Sequence, residues 1–123
     1  MIVGIGIDVC DLGRFEDAAG RTDGFLERIL THAEQESSSD RGVASLAARF
    51  AAKEALAKAL GASAGLKWHD AEVVASGDGR PELHLSGTVA AAAQALGVTR
   101  THLSLSHDAG VAVAFVVLEA TDG

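Results

Sequence analysis

Bulky aromatic side chains are scarce in this chain, which has four phenylalanines, one tryptophan and no tyrosine among its 123 residues. Because 48% of the residues are nevertheless hydrophobic, the core has to be built from alanine, valine, leucine and isoleucine. Such thin side-chain layers bring backbones close together and leave a small domain short of buried surface. The composition therefore predicts one domain, residues 1–123, which completes its burial by oligomerising.

Cysteine and positive charge are also scarce. Cys10 is the one cysteine, which excludes a disulfide framework and fits a reducing compartment. The net charge of −7 argues against nonspecific binding to nucleic acids or membrane surfaces, since both need a basic surface. The first residues lack a basic signal-like segment, and the longest apolar run, 109–118, is too short to cross a bilayer. We therefore expect a cytoplasmic protein.

Residues 2–9 have the alternating pattern of a β-strand. One face carries valines and isoleucines, whereas Gly4, Gly6 and Asp8 lie on the other. Glycines inside a strand often mark the close approach of a ligand or of another backbone. Asp8, at the end of this bare face, either begins a turn or caps the following helix, or it serves a site.

The rest of the chain alternates between helical and extended patterns. Residues 12–30 are helical but interrupted at Gly20 and Gly24, with Thr22 or Asp23 as the cap of a second short helix. Asp40 is the expected N-cap of a long helix that Gly61 ends. The remaining expectations are a polar loop with a turn of helix at 31–40, a small-residue loop at 62–65, a hairpin of strands 71–76 and 82–85, an alanine-rich helix at 88–96, and strands 101–106 and 111–118 joined by a turn at 107–110. This order predicts an α+β fold.

The long helix contains four charges among apolar residues. Glu54 and Lys58 share one face, and Arg49 and Lys53, also four residues apart, repel each other. A helix that accepts this repulsion could hold an anion, and one carboxylate among cations suggests a metal ion between protein and phosphate. The alternative is a solvated helix flank with an ordinary Glu–Lys ion pair.

Three segments taken together closely resemble the holo-acyl-carrier-protein synthases, the small homotrimeric 4′-phosphopantetheinyl transferases. They are Gly6-Ile7-Asp8-Val9 with Arg14 following, the whole run from Arg49 to Gly61, and Leu103-Ser104-Leu105-Ser106-His107-Asp108. Two minor signals agree, the segment from Phe25 to Thr31 with Glu34 nearby and Gly79-Arg80-Pro81 in the hairpin, and the resemblance spans nearly the whole chain in the family's order. It implies an antiparallel sheet with a long central helix, and a homotrimer whose nucleotide site lies between neighbouring subunits.

The activity that this resemblance implies is the transfer of 4′-phosphopantetheine from coenzyme A to a serine of an acyl carrier protein. Adenosine 3′,5′-bisphosphate is released, and the carrier would belong to fatty-acid or polyketide synthesis. By the same similarity Asp8 and Glu54 hold a Mg²⁺ ion that also binds the pyrophosphate. Mg²⁺ commonly uses one or two protein carboxylates together with phosphate oxygens, which agrees with this pair.

The resemblance also implies the roles of several other residues. Lys58 would meet the transferred phosphate, and Gly61 would let the nucleotide approach the backbone. The remaining coenzyme A contacts would come from Arg49 and Lys53, and from Ser104 and His107 of another subunit. The serine proton would pass to a metal-bound water or to His107, with Asp108 orienting His107 or acting as the base itself.

Carrier proteins of this kind are acidic, so the resemblance favours a basic docking face. Its members would be Arg14, Arg21, Phe25 and Arg28, of which the arginines recur every seven residues. One continuous helix would align them, although Gly20 and Gly24 would break it. The alternative is a set of ordinary solvated arginines.

Two other classes of function use the same features. A Mg²⁺-dependent hydrolase of a nucleotide pyrophosphate would use the two carboxylates with water as the nucleophile, and its nucleotide release would not depend on a carrier. A nonenzymatic interaction module would bind neither Mg²⁺ nor coenzyme A in a calorimetric titration.

Overall fold

The computed structural model describes residues 1–38, 41–61 and 64–121. Helices and strands follow one another as predicted for an α+β chain. They are β1 (Ile2–Asp11), α1 (Leu12–Arg21), α2 (Phe25–Ile29), α3 (His32–Ser37), α4 (Val43–Leu60), a 3₁₀ turn (Trp68–Asp70, the Trp68 turn), β2 (Ala71–Ala75), β3 (Pro81–Leu85), α5 (Gly87–Ala95), β4 (Arg100–Asp108) and β5 (Val111–Glu119). The predicted fold class is confirmed.

Strands β1, β5 and β4 form an antiparallel sheet in that order, and β2 and β3 form a separate hairpin. The register places Asp8 of β1 beside Ala114 of β5, and Leu105 of β4 on the other side of Ala114. Helix α4 packs across this sheet. Four of its alanines (Ala47, Ala51, Ala52 and Ala55) and both alanines of β5 are fully buried, so an alanine-rich core brings helix and sheet together.

The glycine face of β1 lies directly against α4. A Cβ atom added at Gly6 would overlap the carbonyl oxygen of Ala55, and one added at Gly4 would overlap that of Ala59. The glycines therefore serve the approach of another backbone, one of the two explanations that the sequence left open.

The opposite face of β1 is apolar and open in the single chain. Ile5, Ile7 and Val9 are 57%, 53% and 59% exposed, and Phe115 beside Ile7 on β5 is 42% exposed. An uninterrupted apolar row of this kind is unusual on a surface that faces only water.

Several predicted boundaries were wrong. Helix α2 is preceded by Gly24, in a left-handed conformation and without a side-chain cap, so neither Thr22 nor Asp23 caps it. The turn of helix predicted within 31–40 is present as α3, and it fills more of the segment than expected; Thr31 and Glu34 begin it with a reciprocal capping box. His107 and Asp108 belong to β4, and only Ala109 and Gly110 form the turn.

The two ends of α4 differ in how well they were predicted. Gly61 ends the helix in a left-handed conformation with φ of 66°, as expected for a C-terminal glycine. Helix α4 begins at Val43 after Gly42, and the predicted cap, Asp40, lies outside the described residues, as do residues 62 and 63 of the predicted loop at 62–65. No helix in the described part of the chain is long and apolar enough to cross a membrane.

Candidate active site

Strand β1 and helix α4 bring Asp8, Glu54 and Lys58 together. The Lys58 ammonium donates to Asp8 Oδ1 and to the Ile7 carbonyl oxygen, both at 3.0 Å. Burial and the neighbouring Asp8 carboxylate raise the pKa of Glu54, while Lys58 opposes the shift. Lys58 thus pairs across to the strand, and the ordinary Glu54–Lys58 helix pair considered from the sequence is not the arrangement found.

The alternative considered for Asp8, that it begins a turn or caps the following helix, is also excluded by the geometry. Asp11 caps α1, because its Oδ1 accepts from the Arg14 backbone N–H at 2.9 Å. The Asp8 carboxylate therefore remains available to Lys58 and to a ligand.

This cluster carries more negative than positive charge, because one lysine faces two carboxylates. That imbalance fits a cation, and carboxylate oxygens are the ligands that Mg²⁺ prefers. The nearby Cys10 thiol does not compete, since burial and the surrounding carboxylates raise its pKa to about 11 and keep it protonated. Within the described residues no cluster of three or more metal-binding side chains occurs.

Arg49 and Lys53, expected from the resemblance to contact coenzyme A, do not form a solvated helix flank. Both are buried, with exposed fractions of 7% and 4%. The Lys53 ammonium lies 2.6 Å from Glu34 Oε1 and donates to the Trp68 carbonyl oxygen at 3.1 Å. Burial lowers the pKa of Lys53 and of Arg49, and Glu34 opposes both shifts. The anion that offsets their mutual repulsion is therefore a residue of this chain, Glu34.

Arg49 keeps unused hydrogen-bonding capacity. Its guanidinium donates to the hydroxyl and carbonyl oxygens of Ser45, at 2.6 and 3.2 Å, whereas its buried Nε has no partner in the described part of the chain. It lines a cavity of about 320 Å³ together with Ser104, Arg41 and Arg80. Three guanidinium groups around one cavity make this a site suited to an anion.

His107 lies beside this arginine cavity and away from the carboxylates. With Arg41, Arg49 and Ser106 it lines a neighbouring cavity of about 210 Å³. The Asp108 carboxylate accepts from the backbone N–H of Ala109 at 2.8 Å, so it supports the β4–β5 turn. Within one chain neither residue shares a described cavity with Asp8 or Glu54.

The two carboxylates open onto different cavities. Glu54 lines an apolar cavity of about 200 Å³ with Lys53, Leu60, Leu66 and Trp68. Asp8 lines a wider one of about 460 Å³, whose walls include Arg14, Phe15, Phe25 and Phe50.

The predicted docking residues occupy two helices. Arg14 and Arg21 are exposed on α1, which includes Gly20, and Phe25 and Arg28 lie on α2 after the break at Gly24. The three arginines are therefore not aligned on one helix. Phe25 packs edge-on against Phe15, with ring centroids 5.8 Å apart, and this contact joins α2 to α1. Arg14 and Phe25 reach the cavity of Asp8.

Three residues of the site were not predicted as site residues from the sequence. Glu34 was noticed only as a minor part of the resemblance, although the pattern Thr31-x-x-Glu34 is itself a capping-box signal. Arg80 had a weak signal in the turn Gly79-Arg80-Pro81. Arg41 had none, since its position depends on the packing of α4 against β4.

Comparisons with known proteins identify the family of this chain. The model of the 4′-phosphopantetheinyl transferase superfamily matches residues 4–116. A holo-[acyl-carrier-protein] synthase of Salinispora arenicola is 59% identical over 121 residues, covering 97% of this chain and 99% of the relative. The solved structure of a holo-(acyl-carrier-protein) synthase from Bacillus anthracis in complex with CoA (3′,5′-ADP) is 39% identical, with a TM-score of 0.80 and coverage of 98% and 99%. The Helicobacter pylori holo-[acyl-carrier-protein] synthase in complex with coenzyme A is 34% identical, with a TM-score of 0.81 and coverage of 94% and 99%. This chain therefore belongs to the 4′-phosphopantetheinyl transferase superfamily and, within it, to the holo-[acyl-carrier-protein] synthases.

Proposed function

We propose that this chain, as one domain of residues 1–123, transfers the 4′-phosphopantetheine group of coenzyme A to a serine of an apo acyl carrier protein. The observation that carries the proposal is the cluster of Asp8, Glu54 and Lys58 in a holo-[acyl-carrier-protein] synthase. The serine oxygen attacks the phosphorus that bears pantetheine, and the P–O bond to the nucleotide phosphate breaks. Adenosine 3′,5′-bisphosphate leaves, and the serine gives up its proton. The product is a holo carrier for fatty-acid synthesis, with polyketide carriers as a further class.

Asp8 and Glu54 would hold the Mg²⁺ ion of this reaction. Their oxygen-only donor set and uncompensated charge fit such an ion. When bound, Mg²⁺ neutralises negative charge on pyrophosphate oxygens. Lys58, already held at 3.0 Å from Asp8, would place its ammonium beside the phosphoryl group that is transferred.

The phosphates of the nucleotide would lie in the arginine cavity. Arg49 offers a buried, unpaired Nε, Ser104 a hydroxyl, and Arg41 and Arg80 further guanidinium groups. His107 borders this region and remains our candidate for a nucleotide contact or for the proton acceptor, with Asp108 next to it in β4. Gly61, exposed at the end of α4, leaves room for a close approach of the nucleotide to the backbone.

Mass spectrometry of an apo carrier protein tests this function. Incubation with the chain, coenzyme A and Mg²⁺ should add the mass of one phosphopantetheine group to the carrier, and a carrier whose acceptor serine is alanine should stay unmodified. Release of adenosine 3′,5′-bisphosphate without any carrier, and no adduct, would contradict the proposal and favour the hydrolase.

We propose that the apolar face of β1 is covered by other copies of the chain in a homotrimer. The exposed row Ile5, Ile7 and Val9 supports this, as does the separation of the carboxylate cluster from the arginine cavity, which a neighbouring subunit could bring together. Native mass spectrometry should give three times the chain mass, and Ile5→Asp should give a monomer with little activity. A fully active monomer at assay concentration would contradict the trimer.

Carrier docking is proposed for Arg14, Arg21, Phe25 and Arg28. Exposed ion pairs contribute up to about 1 kcal/mol each, so reversing Arg14 and Arg21 to glutamate should raise the KM for an acidic carrier about tenfold or more. The KM for coenzyme A should change little. Arg100→Glu is the control, because Arg100 is exposed at the opposite end of the sheet from Asp11. Equal increases in both KM values would refute docking at this face.

A cytoplasmic location remains part of the proposal. It is supported by Cys10, which is a free and buried thiol in the described chain.

A further inference from the structure

The ion pair between Lys53 and Glu34 is almost completely buried. The exposed fractions of the two side chains are 2% and 0%, whereas those of Lys58 and Asp8 are 56% and 18%. The Lys53 ammonium donates to Glu34 Oε1 and to the Trp68 carbonyl oxygen. Lys53 thus joins α4 to α3 and to the Trp68 turn.

Glu34 is held on every side by donors. Its Oε1 also accepts from the Thr31 backbone N–H, and its Oε2 accepts from the Val73 backbone N–H, both at 2.8 Å. Helix α3, helix α4 and strand β2 therefore meet at one carboxylate, and the Trp68 turn is joined to it through Lys53. Moving the Lys53 ammonium onto a substrate phosphate would leave this buried carboxylate without its cation, which is strongly unfavourable.

The Trp68 turn forms a wall of the cavity that Glu54 lines. The Trp68 ring packs on Phe50 of α4, with centroids 5.5 Å apart, and both Trp68 and Lys53 border the cavity. The turn is fixed on two further sides, since His69 Nε2 lies 2.7 Å from the Glu27 carbonyl oxygen and Asp70 accepts from Thr88. Lys53, the residue next to Glu54, therefore connects this wall to the helix that carries Glu54.

We propose that Lys53 is a positioning residue, which contacts no ligand and fixes the Trp68 turn opposite Glu54 through its buried pair with Glu34. This inference deepens the proposed function and rests on it for the effect on turnover. It replaces the contact with nucleotide phosphates that the sequence suggested for Lys53. The Trp68 wall would define the space beside Glu54 in which the pyrophosphate of coenzyme A lies.

The chain offers a direct reporter, because Trp68 is its one tryptophan and it has no tyrosine. Fluorescence of the ligand-free, full-length protein should be compared for the unsubstituted chain, Lys53→Met, Glu34→Gln and the double variant. We expect a red-shifted emission and stronger quenching by acrylamide in all three variants. We also expect kcat for carrier modification to fall by about 10- to 100-fold, with less than about a threefold change in the KM for coenzyme A.

The double variant tests whether Lys53 and Glu34 act as one unit or independently. Because the pair acts together, the double variant should lose no more activity than the more impaired single variant. It also buries no unpaired charge, so it carries the test if Lys53→Met alone does not fold. Glu36→Gln is the matched control, since Glu36 lies on the same short helix with 75% of its side chain exposed. It should leave both emission and kcat unchanged.

If Lys53 instead contacts a nucleotide phosphate, the results should differ. Lys53→Met would then weaken the binding of adenosine 3′,5′-bisphosphate in a calorimetric titration by the same factor as it lowers turnover, and the emission of the ligand-free protein would not change. Either of those results overturns the positioning role. The emission does not depend on the reaction, so failure of the unsubstituted chain to modify a carrier would overturn the proposed function separately.

Discussion

Glu54→Gln should lower kcat/KM for carrier modification by about 10²- to 10³-fold. Glutamine has nearly the shape of glutamate but no charge, so the substitution removes one of the two anionic oxygen donors beside Lys58 while leaving α4 intact. The loss should be similar with Asp8→Asn, because both carboxylates are proposed to bind the same cation. Steady-state assays of carrier modification at saturating Mg²⁺ measure the effect.

The same substitution should make the metal-free protein more stable at neutral pH. Burial and Asp8 raise the pKa of Glu54, so the folded chain binds the Glu54 proton more tightly than the unfolded chain does. The stability of the unsubstituted chain therefore falls as the pH rises from the usual carboxyl range through the raised pKa. Glu54→Gln removes that loss. Its gain in melting temperature should be fully present above the raised pKa and absent below about pH 4.

The change in melting temperature on addition of Mg²⁺ measures metal binding without the reaction. An ion that binds only the folded protein raises its melting temperature, and we expect such a rise for the unsubstituted chain and none for Glu54→Gln. Glu82→Gln is the control, because Glu82 is an exposed carboxylate on β3, outside the cluster. Unchanged turnover together with an unchanged Mg²⁺ shift in Glu54→Gln would remove Glu54 from the metal site.

Local patterns predicted the elements well where the signal lay within one segment. The alternation in β1 predicted both the strand and its glycine face, and Gly61 predicted the end of α4. The predicted bounds of the β4–β5 turn were wrong because Ala109 adopts a positive φ of 51°, beside Gly110 with a φ of 80°. A two-residue turn with two positive φ values usually carries glycine, asparagine or aspartate, so alanine concealed it and made the turn look longer.

The partners of charged side chains were much harder to predict. The sequence places Glu54 and Lys58 on one face, yet Lys58 binds Asp8, 50 residues away in β1. Lys53 was taken as a phosphate contact because its partner, Glu34, lies on a separate short helix and is buried only by the packing of α3 and β2 against α4. Pairing within a helix follows from spacing, whereas pairing between elements depends on tertiary packing that spacing does not contain.

The composition did predict one tertiary feature, the close approach of helix and sheet, and this leads to the largest expected effect on stability. Gly6→Ala should destabilise the fold by about 3 kcal/mol or more, because its Cβ would overlap the Ala55 carbonyl oxygen. The obstacle is the backbone of a buried helix, which no side-chain rotation can relieve. The melting temperature should fall by roughly 10 °C or more, measured by circular dichroism on the metal-free protein. Ala55 is adjacent to Glu54, so a displacement of α4 in this variant should also lower its activity.

Gly20→Ala is the matched control for this prediction. Gly20 lies inside α1, and a Cβ added there meets nothing within 4 Å. Alanine forms helix better than glycine and restricts the unfolded chain, so this variant should be stabilised by about 0.4–1 kcal/mol. The two substitutions are chemically identical and should therefore shift the melting temperature in opposite directions. A Gly6→Ala variant as stable as the unsubstituted chain would mean that β1 and α4 do not approach through their backbones, and the placement of Asp8 beside Lys58 and Glu54 would lose its structural basis.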